Sequence, residues 1–203
     1  RDHTSCNVSG RIAGSGAENG KVYGVGHYDS WHPAESAFDN ALGAAGLVRL
    51  ARAAAAGPQP ERDIVFLATS GEEQGLRGAI AWSHDMLDDA DRTLFACVSV
   101  FVGADLDAVE SVCGPGLPAG TVFDGLASLV DKSLVRQIEG LGGEPRFAML
   151  STIREFAAEH LTGEAQADTR RRHAEHYAAL AAAASSSVMG TEKRQLLDLL
   201  EQE

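Results

Sequence analysis

Residues 63–70, DIVFLATS, are apolar almost without a break. A short run of that kind, rich in β-branched and aromatic side chains, reads as a strand covered on both faces. KVYGVG at 21–26 reads as a second strand. Between them, SAFDNALGAAGLVRLARAAAAG is rich in Ala and Leu and ends at Gly57-Pro58, so it reads as a helix. Strand, helix and strand joined by short links predict a right-handed βαβ unit of a parallel sheet.

After residue 84 that alternation stops. The spacing predicts helices over 88–102, 105–113, 121–133, 151–162, 164–184 and 191–202. One hairpin intervenes, SLVRQIE and PRFAML, with its turn at Gly140 to Glu144. Leu94, Phe95, Val98, Phe101, Leu126, Leu129 and Val130 fall at helical spacings that can build one core. The expected architecture is an α/β N-terminal fragment, the parallel βαβ, followed by a mainly α segment. There is no internal repeat.

Charge and composition narrow the function. The formal net charge is -12, against the sign that a nucleic-acid or anionic-membrane surface requires. Charges or glycines interrupt every apolar run, so no transmembrane span is expected. No signal peptide is visible, which makes the cytoplasm the default expectation. The chain opens at Arg1 rather than Met, and a preceding piece is expected. Cys6, Cys97 and Cys113 are odd in number and lack metal-type spacing, so they read as buried small hydrophobes rather than a disulfide or a site.

The chemistry gathers where the two strands end. Ligands of open parallel sheets bind beyond the carboxyl ends of the strands. His27 and Asp29 follow the first strand, Glu72 and Glu73 follow the second, and Asp39 opens the connecting helix. Singly, each is ordinary loop polarity, or a carboxylate favoured by a helix N-terminus. Together they converge on one rim. His, Asp and Glu suit zinc or a similar divalent ion. Asp29, two residues after His27, is placed to orient the imidazole. Of two adjacent glutamates, one can bind metal while the other takes a proton from water.

The string VYGVGHYDSW, then AFDNALGAAGLVRLARA, then RDIVFLATSGEEQGLRG resembles the zinc aminopeptidase family that includes bacterial leucyl aminopeptidase, aminopeptidase Y and glutamate carboxypeptidase II. CNVSGRIAGS resembles that family's approach to the domain, and the likeness covers roughly residues 5–78. It implies two zinc ions, with His27 binding one, Asp39 bridging both and Glu73 binding the other. Glu72 would be the catalytic general base, with Asp29 supporting His27. A peptide would be the substrate. Two further ligands are implied, an Asp after a third apolar strand and a late His, and neither stands in context after Gly78. HDML at 84–87 follows AIAWS, which does not read as a strand; His160, His173 and His176 lie on helical segments.

LRGAIAWSHDMLDDADRTLFACVSVFVGADLDAVESVCG and VFDGLASLVDKSLVRQIEGLGGEPRFAMLSTIREFAAEHL resemble the winged-helix region of bacterial STAND-type regulators, large ATPases related to AfsR and to LuxR-type regulators. TRRRHAEHYAALAAAA resembles the first helix of the repeat array that follows, and this likeness spans roughly residues 75–203. No GxxxxGK[ST] phosphate loop occurs. Residues from 79 onward hold ten Lys and Arg against twenty Asp and Glu. The candidate recognition helix, 121–133, carries Asp124 and Asp131 against Lys132, so direct DNA binding is not expected. TRRRH at 169–173 reads as a solvated helix face.

The two likenesses share Leu76-Arg77-Gly78. A join at a shared short string is what recombination or misassembly of two genes leaves. The expected domains are a truncated zinc-peptidase-like lobe at 1–78, a winged-helix-like module at 79–162 and a helical tail at 163–203, open to a protein partner. Two functions follow as expectations: a metallopeptidase lobe short of ligands, or a fragment of a transcriptional regulator without enzymatic activity.

Overall fold

A computed structural model describes residues 6–30, 37–140 and 143–186. The chain divides into two compact units, residues 1–82 and 83–203.

The first unit is built on strands β1 (Val8–Ile12), β2 (Lys21–His27) and β3 (Asp63–Thr69), in the order β1-β3-β2. A kinked turn at Ala37–Ala41 leads into helix α1 (Leu42–Ala56), which ends at Gly57 as its Gly-Pro stop predicts. β2 and β3 pair in parallel with α1 between them in the chain, and His27 lies opposite Thr69. Gly24 lets α1 approach the sheet: a Cβ there would sit 3.3 Å from both Leu47 and Phe66.

The sheet is mixed, because β1 runs antiparallel to β3, from Val8 opposite Ala68 to Ile12 opposite Ile64. Nothing in VSGRI announces a strand. Four of its five residues are exposed, and its ladder with β3, not side-chain burial, makes it extended. Arg11 and Asp63 add an ion pair at 2.8 Å, and Asp63 accepts the Gly14 N–H at 2.9 Å. That backbone donor first, and Arg11 second, hold the Asp63 carboxyl below its ordinary pKa. Past β3, helix α2 (Arg77–Asp85) occupies a stretch where the sequence offered no element.

The second unit holds α3 (Asp89–Val98), α4 (Leu106–Cys113), α5 (Val122–Asp131), the strands β4 (Arg136–Glu139) and β5 (Pro145–Ala148), α6 (Ser151–His160) and α7 (Gly163–Ser186). Asp88 and Asp105 begin α3 and α4 by accepting the N–H of Asp91 and Ala108, each at 2.8 Å. β4 and β5 form their own antiparallel sheet, and Ala104 bridges to Phe147 to lengthen it. Gly140 donates to the Glu144 carbonyl at 2.8 Å, inside the expected turn; Leu141 and Gly142 lie outside the described residues, as does the helix expected over 191–202. Leu94, Phe95, Val98, Phe101, Leu126 and Leu129 are buried as their spacing predicts, and Val130 is half-buried. α7 packs on α4, with Arg172 Nε donating to the Val112 carbonyl at 2.7 Å.

The cysteines depart from the expectation. Cys97 and Cys113 are buried, but they are joined as a disulfide across α3 and α4, with Cα atoms 5.8 Å apart. Cys6 is exposed rather than buried. Spacing along the sequence carries no sign of that pairing, because the two cysteines lie on different helices that only the fold brings together. Among the described residues no helix is long and apolar enough to cross a membrane.

Candidate metal centre

Parallel pairing of β2 and β3 sends the chain out of both strands at one edge. His27 is the last residue of β2, and Tyr28 donates its N–H to the Thr69 carbonyl at 3.0 Å, so the two exits leave side by side. Beyond Ser70 the chain turns at once. Gly71 has φ +66, a conformation that favours glycine. Arg77 N–H returns to the Gly71 carbonyl at 3.0 Å and Gly78 N–H to the Ser70 carbonyl at 2.9 Å. This closed loop carries Glu72 and Glu73 back over the sheet edge.

All five residues expected at the site meet there. One ligand atom each from His27, Glu72 and Glu73 lie within 4.8 Å of one another, and all three residues are half-buried. His27 Nε2 is 3.3 Å from Asp39 Oδ1 and 3.9 Å from Glu72 Oε2. His27 Nδ1 is 3.1 Å from the Asp29 carbonyl and 3.5 Å from Asp29 Oδ1. Asp29 also takes the Glu73 N–H on Oδ2 at 3.4 Å, so it touches both halves of the cluster. Asp39 is the most open member, with 70% of its side chain exposed, against 14% for His27.

Both ring nitrogens of His27 face oxygen acceptors. Nδ1–H donates to the Asp29 carbonyl, which leaves Nε2 turned to two carboxylates. That crowds two carboxylates around one ring nitrogen, an arrangement that a bound cation can share. Glu73 registers the same crowding. Lost hydration, then the charges of Asp39 and Glu72, push its carboxyl above the ordinary range, while His27 acts the other way. Asp29 Oδ1 is buried and has no hydrogen-bond partner among the described residues. One imidazole and several carboxylates gathered in this way fit a divalent cation of the harder or borderline kind.

Among the described residues, the group that could hold a metal is His27, Glu72 and Glu73. His84 stacks with Phe95, Phe156 and His160 at 4.5–5.8 Å in the second unit. His173 packs on Phe101 and Tyr177.

Two family models match the chain. That of peptidase family M28 covers residues 7–110, and that of a winged helix-turn-helix domain covers residues 87–162. Residues 87–110 fall under both. In the structure they carry α3 and part of α4, whose apolar side chains line the core of the second unit. A Mycobacterium tuberculosis (strain ATCC 25618 / H37Rv) protein named as an HTH-type transcriptional regulator is 42% identical over 112 residues, 54% of this chain and 13% of that protein. An uncharacterized protein of the same strain is 31% identical over 99 residues, 47% of this chain and 25% of that protein. The chain thus spans only a small part of these relatives' length. No solved structure matches.

Proposed function

We propose, from the fact that this chain belongs to peptidase family M28, that its N-terminal unit is a zinc-binding, aminopeptidase-like lobe with an incomplete ligand set. It is joined to a winged-helix module of the STAND-regulator kind. The observation that carries this is the meeting of His27, Glu72 and Glu73 within 4.8 Å at one sheet edge, with both nitrogens of His27 facing oxygen acceptors. His27, Asp39 and Glu73 would hold the metal. A zinc ion bound there supplies a Lewis acid that polarises a carbonyl and makes water easier to deprotonate. Glu72 would accept the proton, and Asp29 would fix the tautomer of His27 through the contacts at its Nδ1. The substrate would be a peptide N-terminus.

Calorimetric titration of the full chain with zinc tests the reading. Binding is expected, weaker than a complete four-ligand site gives, and lost in His27→Ala. Equal binding by the unaltered chain and a His27→Ala, Asp39→Ala, Glu73→Ala variant would sink it. Because the ligand set is short, turnover of a leucine anilide is expected to be slight. Robust turnover abolished by Glu72→Gln would mean the set is complete after all.

A second reading rests on the 42% identity to the named regulator. On it, residues 79–162 act as a winged-helix packing module, and residues 163–203 begin a helical array that meets a protein partner. The acidic balance of this half argues for protein rather than DNA as what it contacts. The cytoplasm is the compartment this reading implies.

A further inference from the structure

The antiparallel course of β1 has a topological effect on the metal edge. Val8 pairs with Ala68, so the residues just before β1 lie level with the carboxyl end of β3, where the ligand loop departs. Asn7 is the residue in that place, and it is half-buried. Its Oδ1 accepts the Ser70 N–H at 3.2 Å, and its Nδ2 donates to the Gly78 carbonyl at 2.7 Å. Ser70 and Gly78 are the two feet of the loop that carries Glu72 and Glu73, closed upon each other by a 2.9 Å hydrogen bond. A single planar amide therefore clamps both feet, using an acceptor on one and a donor on the other.

The neighbouring residue extends the clamp. The Cys6 carbonyl accepts the Tyr28 hydroxyl at 2.5 Å, and Tyr28 directly follows His27. The dipeptide Cys6-Asn7 thus ties the exit from β2 to the loop after β3. There is no slack at the foot of the loop: a Cβ on Gly78 would meet the Ser70 carbonyl oxygen and Asn7 Oδ1 well inside contact distance. Few side chains other than Asn can do this in place. Asp presents an acceptor where the Gly78 carbonyl needs a donor, and Ala presents nothing.

We propose that Asn7 is a positioning residue for the metal centre, setting the separation of Glu72 and Glu73 from His27. It touches no ligand atom and acts through the backbone of their loop. The inference rests on the reading of the cluster as a metal site. Partners that orient metal ligands typically cost about 10–100-fold in affinity when removed. Zinc titration of the full chain should therefore show Asn7→Asp and Asn7→Ala binding about 10–100-fold more weakly. The visible absorption of bound cobalt(II), which reports ligand geometry, should change in both. Asn7→Asp is nearly isosteric and guards against simple loss of fold.

Asp63→Asn is the control for general loosening. It removes the charge that pairs with Arg11 and leaves Gly14 only a neutral acceptor in the same sheet, away from the ligand loop, and should leave zinc affinity and the cobalt spectrum unchanged. Asn7→Asp binding like the unaltered chain, while His27→Ala does not, overturns the positioning role and leaves the metal reading standing. Equal weakening by Asp63→Asn overturns it as well, by assigning the effect to stability. If the unaltered chain binds no better than His27→Ala, the metal reading falls and takes this inference with it.

Discussion

In the first unit the buried apolar side chains are Leu47, Val65, Leu67 and Ile80, while Val8, Val25, Leu42, Val48 and Leu50 are more than half exposed. The second unit encloses Leu94, Phe95, Val98, Val109, Val112, Leu126, Leu129 and Leu134 almost completely. Yet the cluster of His27, Glu72 and Glu73 belongs to the thinly packed unit. Packing and chemistry make different demands on a chain. A helical core needs its apolar residues at intervals of three and four over several helices. A site of this kind needs two strand ends held side by side, and it gathers acidic side chains where the sheet stops. The same apolar content therefore yields a closed core in one region and an open edge in the other.

The largest expected effect tests that contrast in packing. Phe95 is fully enclosed, with the Phe156 ring of α6 6.4 Å away, and Phe95→Ala should cost about 3–5 kcal/mol. Leu47 keeps some exposure, and Leu47→Ala should fall near the low end for such truncations, about 2 kcal/mol. Urea unfolding of the two variants measures both. A Leu47→Ala loss as large as that of Phe95→Ala would break the comparison by showing that the sheet and α1 enclose as firm a core.

A smaller effect is expected at the disulfide. Cys97 and Cys113 are sixteen residues apart. Opening a loop of about that length removes roughly 3 kcal/mol of constraint from the unfolded chain. Thermal unfolding of a Cys97→Ala, Cys113→Ala variant should show that loss, while zinc titration of the full-length variant should match that of the unaltered chain. Equal stability with and without the pair would mean that helix packing alone holds α3 to α4.

What the sequence made legible follows the same division. α3 to α7 begin and end within a few residues of the limits that their apolar spacing predicts, because each helix contributes several turns of one repeating pattern. The placement of His27, Asp29, Asp39, Glu72 and Glu73 at one edge was readable because two strand ends and a helix start sufficed to locate them. β1 was not readable. VSGRI is a strand through its ladder with β3, and that partner is more than fifty residues away. The role of Asn7 was hidden for the same reason, since it depends on β1 running antiparallel. α2 is not legible because AIAWSHD offers too few turns to show a period. The disulfide needed the α3–α4 packing to be known first.

The smallest expected effect is a pH dependence that belongs to the well-packed unit. The His84 ring is largely buried, with Phe95 at 5.5 Å, Phe156 at 5.8 Å and His160 at 4.5 Å between ring centres. Burial first, then His160 and Arg92, hold its pKa below the ordinary 6.5, while Asp85, 3.9 Å from Nδ1, pulls the other way. The folded chain thus resists a proton that the unfolded chain accepts. Above pH 6.5 both states are neutral at this residue and no stability is lost. As pH falls through 6.5 the unfolded state takes up the proton first, so stability declines, and it stops declining once pH is below the folded pKa. His84→Phe keeps an aromatic ring in the cluster and removes the titration. Urea unfolding between pH 8 and pH 5 should show a shallower acid loss in that variant, by no more than one proton's worth of slope. An identical slope would mean that His84 takes its proton as readily inside the Phe95–Phe156 cluster as in water, and the packing around it would then be looser than that of the α3–α5 core.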